Sequence, residues 1–138
     1  MKQGVLVDTG PLVAFLNKRD RFHDWTTAQW NQIAAPMLTC EAVVSESCFL
    51  LSGIKSGSDR VMQLIQREIL MISFHLDEHI DPVKKLLTKY QSVPMSLADA
   101  CLDRRSELHS TRYVVPMDSD FNLYRKNSRQ VIPSIMPG

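Results

Sequence analysis

Short, unbroken apolar runs alternate along this chain with stretches in which apolar residues recur every three or four positions. The first run, Gly4-Val5-Leu6-Val7-Asp8, is short and ends in an acid, as expected of a strand buried on both faces of a parallel sheet. Thr9-Gly10-Pro11 is expected to turn the chain into a helix over Leu12 to Asn17, with Pro11 in its first position, and Lys18-Arg19-Asp20-Arg21 to lead into a second helix from about Phe22 to Ala34. Pro36-Met37-Leu38-Thr39 reads as the next strand, with Thr39 capping a helix that runs through Leu51 to a stop at Gly53. Ser58-Asp59 opens a helix striped by Val61, Met62, Leu64, Ile65 and Ile69, and Ile72-Ser73-Phe74 is the strand expected after it. Ile80, Val83, Leu86 and Leu87 give Asp77 to Tyr90 a helical period that Ser92-Val93-Pro94 ends, and Ser96 to His109 is helical again. Tyr113 to Met117 is expected to be a strand ending at Asp118, followed by a short helical segment and a last strand around Val131-Ile132. Strands that alternate with helices in this way predict an α/β fold with a mainly parallel sheet covered by helices on both faces.

At 138 residues and 44% hydrophobic content the chain is sized for one packed core, so a single domain over residues 1–138 is expected. No run approaches the length of a membrane span and the start carries no cleavable signal pattern, which predicts a soluble, cytoplasmic protein. Cys40, Cys48 and Cys101 are odd in number and form no Cys-x-x-Cys pair, so neither a disulfide framework nor a zinc knuckle is indicated. Sixteen basic residues against fifteen acidic ones give a net charge of +1. Setting four acids aside in a metal site leaves eleven against sixteen, or +5, a balance that suits a polyanionic substrate.

The acids carry the chemistry. Asp8 and Asp118 both fall where strands are expected to end, which is the edge at which open α/β sheets bind ligands. An Asp in such a place also commonly opens a turn or caps a helix. Glu46 has Ala42, Val43, Phe49 and Leu50 as its helical neighbours and so interrupts an apolar stripe, where an ionised carboxylate needs a cation or several hydrogen bonds. Ser96-Leu97-Ala98-Asp99 approximates a capping box, a role compatible with metal ligation because a helix N-terminus favours the ionised form. Asp103 follows one turn later, to add a ligand or to pair with Arg104 and Arg105. Four converging carboxylates repel unless cations offset them, and oxygen-only sites suit Mg²⁺ or Mn²⁺. One or two such ions can activate water for in-line attack on phosphorus with no Ser, Cys or His nucleophile, so the implied chemistry is phosphodiester hydrolysis.

The chain resembles the PIN domain nucleases, and among them the VapC-type toxin ribonucleases. The resemblance rests on Val5-Leu6-Val7-Asp8-Thr9 followed by Pro11-Leu12-Val13-Ala14-Phe15-Leu16, on Asp20-x-x-His23, on Glu46 with Leu50-Leu51, on Ser96-Leu97-Ala98-Asp99-Ala100 and on Asp118-x-x-Phe121, in that order. It implies a three-layer α/β/α domain that cuts RNA with Mg²⁺ or Mn²⁺, with Asp8, Glu46, Asp99 and Asp118 as catalytic acids and Asp8, Asp99 and Asp118 on the metal. Thr9 would orient Asp8 or a water, Phe121 would anchor the last acidic loop, and Asp103 or Asp120 could take part of the ligand role. The chain departs from many members in having Pro116 two residues before the fourth acid, where Thr or Ser is common. The resemblance further implies a homodimer and a small antitoxin that occludes the acidic cleft.

Two other readings compete. Asp8-Thr9-Gly10 matches the aspartic protease motif, but those enzymes are all-β and glycine-rich, whereas this chain has five glycines and several helical stretches. A catalytically degenerate PIN-like module that binds RNA or a partner is the non-enzymatic alternative. Phe22, Trp25 and Trp30 are expected in the core or at a dimer face rather than stacking on bases. Arg19, Arg21, Arg60, Arg104 and Arg105 are candidates for phosphate contacts, and the sequence does not choose among them.

Overall fold

A computed structural model describes residues 3–93 and 95–108, together with the backbone of three short strands at 114–115, 125–126 and 130–131. The elements in chain order are β1 (Leu6–Val7), α1 (Thr9–Leu16), α2 (His23–Trp30), β2 (Met37–Thr39), α3 (Glu41–Leu50), α4 (Gly57–Gln66), β3 (Leu70–Ile72), α5 (Ile80–Lys89), α6 (Leu97–Glu107), β4 (Val114–Val115), β5 (Arg125–Lys126) and β6 (Gln130–Val131), with one 3-10 turn at Leu76–Glu78. β1 to β4 form a four-stranded sheet in the order β3-β2-β1-β4, and every neighbouring pair is parallel. β5 and β6 pair antiparallel apart from it. The α/β class and parallel sheet read from the apolar runs are therefore present.

The chain builds this sheet outward from β1 through β2 to β3, then returns to place β4 on the other side of β1. That reversal leaves a crevice beyond the carboxyl ends of β1 and β4, the usual place for a ligand in such sheets. Asp8 follows β1 directly. Val5, Leu6 and Val7 are fully buried, and Met37, Leu38 and Thr39 are buried as well, which is why both strands read as unbroken apolar runs. The Thr39 hydroxyl donates to the Val7 carbonyl at 3.0 Å and ties the ends of β1 and β2 together. It does not cap α3, whose cap position is Cys40.

Trp30 joins the core and stacks on Phe15, ring centroids 3.9 Å apart, while Trp25 packs against the core half-buried. The connector between α1 and α2 is held by its polar residues. Asp20 Oδ1 accepts from the Phe22 amide at 2.9 Å, and His23 Nδ1 lies 2.8 Å from the Ala14 carbonyl, an acceptor that requires the proton on Nδ1. Gly57 begins α4 because a Cβ there would run into the Leu51 carbonyl. α4 ends with the Ile69 amide bonded to the Leu64 carbonyl and the Glu68 amide to that of Ile65, with Glu68 left-handed at φ 59°.

Several boundaries differ from expectation. α1 starts at Thr9 rather than Leu12, because Asp8 caps it, and Pro11 sits in the first turn, where no intrahelical N–H partner is needed. β3 lies at Leu70–Ile72, two residues early, since Ser73 and Phe74 already lead away from the sheet. Met62 and Ile80, both read as core-facing, are 41% and 50% exposed. β5 was not expected, and the helical segment expected before it lies outside the described residues.

Candidate functional site

Asp8 stands at the end of β1, where the order of the sheet reverses. It is buried, with 6% of its surface exposed, and its Oδ1 accepts the Thr9 backbone N–H at 2.7 Å. The cap role and the site role coincide here, since the carboxylate that closes the first turn of α1 is also the one delivered to the end of β1. A helix N-terminus favours negative charge, which offsets part of the cost of holding an acid this deep.

Thr9 then links two elements. Its hydroxyl donates to Glu46 Oε2 on α3 at 3.3 Å, bringing Asp8, Thr9 and Glu46 together from residues far apart in sequence. Glu46 is exposed, and Phe49 and Leu50 beside it are 74% and 54% exposed. The expectation that Glu46 interrupts a core-facing stripe is thus corrected: Ala42 and Val43 meet the core, but from Glu46 onward Phe49 and Leu50 face outward, and the exposed acid is held by the Thr9 hydroxyl.

Asp99 occupies the third position of α6 in a complete capping box. Ser96 Oγ accepts the Asp99 amide at 3.0 Å, and Asp99 Oδ2 accepts the Ser96 amide at 3.2 Å. Asp103, one turn on, is fully buried inside the protein, unlike the half-buried Asp99. Arg104 pairs with Glu107 at 3.1 Å, and the buried Arg105 donates through Nε to the Ser73 carbonyl and hydroxyl, both at 3.1 Å, pinning α6 to the end of β3. Asp118, Asp120, Phe121 and Pro116 lie outside the described residues. Among the described residues no three His, Cys, Asp or Glu side chains gather within reach of one ion. Asp8 and Glu46 are oxygen donors of the kind Mg²⁺ or Mn²⁺ takes, so the donor chemistry present fits such an ion.

The sequence offered no sign that Cys40 and Cys101 would meet. Both are buried and free, at the start of α3 and on α6. The Cys40 thiol donates to Cys101 sulfur, and this bond, then burial, with smaller repulsion from Cys101 and Asp8, pushes its pKa up. The same bond lowers that of Cys101. Through Cys101 the start of α3 thus meets α6, the helix that carries Asp99. A pocket of about 400 Å³ opens there, lined by Cys40, Glu41, Ser45, Phe74, Leu97 and Cys101 among others.

The model of the PIN domain family matches residues 5–126, from β1 through β5, a span that contains all four candidate acids. The chain belongs to the PIN domain family. No curated protein matches it in sequence. Among solved structures, VapC20 from Mycobacterium tuberculosis, described as a sarcin-ricin loop cleaving toxin, superposes with a TM-score of 0.72 at 18% identity, covering 87% of this chain and 94% of that one. PAE2754 from Pyrobaculum aerophilum superposes with a TM-score of 0.55 at 17% identity, covering 96% of this chain and 92% of the other. At such identities the likeness establishes a shared PIN-like α/β/α fold. In this PIN domain Asp8 follows β1 at the sheet's switch point, with Thr9 bonded to Glu46 of α3 beside it.

Proposed function

We propose that this PIN domain is a Mg²⁺- or Mn²⁺-dependent endoribonuclease, that the chain acts as one nuclease domain over its whole length, and that it is the toxin of a toxin–antitoxin pair. The observation that carries the reading is the link from Asp8, at the end of β1 beside the sheet's switch point, through the Thr9 hydroxyl to Glu46. The sarcin-ricin loop cleavage named for VapC20 supports RNA as the substrate class.

Asp8, Asp99 and Asp118 would hold the metal, with Asp103 and Asp120 as supporting acids. The ion supplies a lowered water pKa and stabilisation of charge on the leaving oxygen. The chain's own residues do the rest. The Thr9 amide fixes Asp8, the capping box fixes Asp99, and Glu46, exposed and bonded by the Thr9 hydroxyl, would accept the proton of the attacking water at a carboxylate oxygen. Water oxygen then bonds to phosphorus as the bond to the leaving oxygen breaks and that oxygen takes up a proton.

A homodimer in the cytoplasm and inhibition by a small antitoxin that covers the acidic cleft belong to the same proposal. Phe49 and Leu50 on α3 and Met62 on α4 are exposed apolar side chains available to a protein partner. Among the described residues no helix is long and apolar enough to cross a membrane. The test is RNA cleavage with and without Mg²⁺ or Mn²⁺ by the wild type, Asp8→Asn and Asp99→Asn. Metal-dependent cleavage lost in both variants is expected, and equal residual activity in all three proteins would sink the proposal. RNA binding without cleavage would make the chain a degenerate binding module instead.

A further inference from the structure

Five arginines were indistinguishable in the sequence as phosphate ligands, and the fold sorts them. Arg105 is buried on Ser73, Arg104 is paired with Glu107, and Arg21 lies over the Phe22 ring at 4.5 Å. Arg19 and Arg60 remain. Both line one pocket of about 400 Å³ with Lys18 and Lys55, where the end of α1 and its connector face the α3–α4 turn and the start of α4. Leu16, Asn17, Gly53 and Ile54 line it too, so four cations converge with no acidic side chain among the described lining residues. All four are exposed, and none forms an ion pair with a described residue. Among the described residues Arg60 makes a long bond, 3.4 Å, from its guanidinium to the Leu16 carbonyl.

Four like charges in one concavity repel one another unless an anion offsets them. The position says which anion. α1 runs straight from Asp8 to this pocket, and at about 1.5 Å per residue its eight residues set the two roughly 12 Å apart along the helix. A polyanion engaged at Asp8 can therefore reach the cations within a few nucleotides. We propose that Lys18, Arg19, Lys55 and Arg60 form a phosphate-binding subsite that holds the backbone of single-stranded RNA beside the cleavage crevice, an inference that rests on the ribonuclease reading. The arginines can engage phosphate oxygens bidentately and the lysines act as point charges. Contacts to the backbone set position and affinity without selecting sequence.

A second basic patch supplies an internal control. Lys84, Lys85 and Lys89 are exposed on α5, with Asp81 among them. Binding of a single-stranded RNA oligonucleotide is measured in EDTA, so that hydrolysis plays no part, across a range of salt concentrations. The triple variant Arg19→Gln/Lys55→Gln/Arg60→Gln is compared with Lys84→Gln/Lys85→Gln/Lys89→Gln, which removes equal charge elsewhere. Each lost phosphate contact flattens the dependence of log affinity on log salt by about 0.7 for a single strand, so the pocket variant is expected to lose about 2 from the slope and bind about tenfold or more weakly at low salt. The α5 variant is expected to change little. Lys18→Gln/Lys55→Gln, which spares both arginines and the bond to Leu16, is expected to show an intermediate loss should the triple variant fold poorly. Equal losses in both triple variants, or none in the pocket variants, overturn the subsite while leaving the ribonuclease reading standing if the wild type still cleaves RNA with metal. A wild type that neither binds RNA nor cleaves it with metal overturns both.

Discussion

Thr9 offers the sharpest test of the site because its hydroxyl joins two candidate acids while contributing little to the fold. Thr9→Val preserves side-chain volume and the amide that holds Asp8, and removes only the bond to Glu46 Oε2. A hydrogen bond to a charged group is worth about 1.5–3 kcal/mol when both partners are dry. Here the acceptor is exposed and the 3.3 Å separation is long for a hydroxyl donor, which discounts the bond to about 0.5–1 kcal/mol. At about 1.4 kcal/mol per tenfold, that corresponds to a two- to fivefold loss in kcat/KM if the bond serves to position Glu46 for proton transfer. Stability should stay within about 0.5 kcal/mol of wild type, as for a substitution that leaves no buried group unpaired. The assay is metal-dependent RNA cleavage by wild type, Thr9→Val, Thr9→Ser, Glu46→Ala and the Thr9→Val/Glu46→Ala pair. Thr9→Ser should retain activity, and Thr9→Val should add no loss once Glu46 is gone. An undiminished effect of Thr9→Val in the Glu46→Ala background would refute a role through Glu46.

Two further substitutions test the local structure by thermal unfolding. Ser96→Ala removes the cap of α6 and should cost about 1 kcal/mol, lowering Tm by roughly 3–5 °C, while releasing Asp99 and reducing cleavage beyond what the stability loss explains. An unchanged Tm would show that the capping box contributes nothing. Glu68→Gly should stabilise by about 0.5–1 kcal/mol, because glycine relieves the left-handed residue that ends α4 by more than it adds to the entropy of the unfolded chain. A drop in Tm would overturn that account.

The parts of the fold that one strand or one helix decides alone were open to reading from the sequence. Val5-Leu6-Val7 is buried on both sides and so reads as apolar throughout, and Ser96 and Asp99 form their box within a single turn. Thr9-Gly10-Pro11 misled because the same residues serve a turn or the first turn of a helix, and the deciding cap, Asp8, had already been assigned to the strand end. Glu46 shows the limit more clearly. Apolar residues flank it on the helix, yet only Ala42 and Val43 face the core while Phe49 and Leu50 face outward, and what holds it is Thr9, from another helix. A helical period records which residues share a face but not whether the face meets a core or a partner. The same limit explains the cations: Lys18 and Lys55 are set together only by the docking of the α3–α4 turn on the end of α1. Acids carried to the site by strand ends and helix caps are thus legible one at a time, whereas the groups that would steer a substrate toward them depend on how the helices dock. A sequence can therefore name the chemistry of such a domain sooner than the path its RNA takes to reach it.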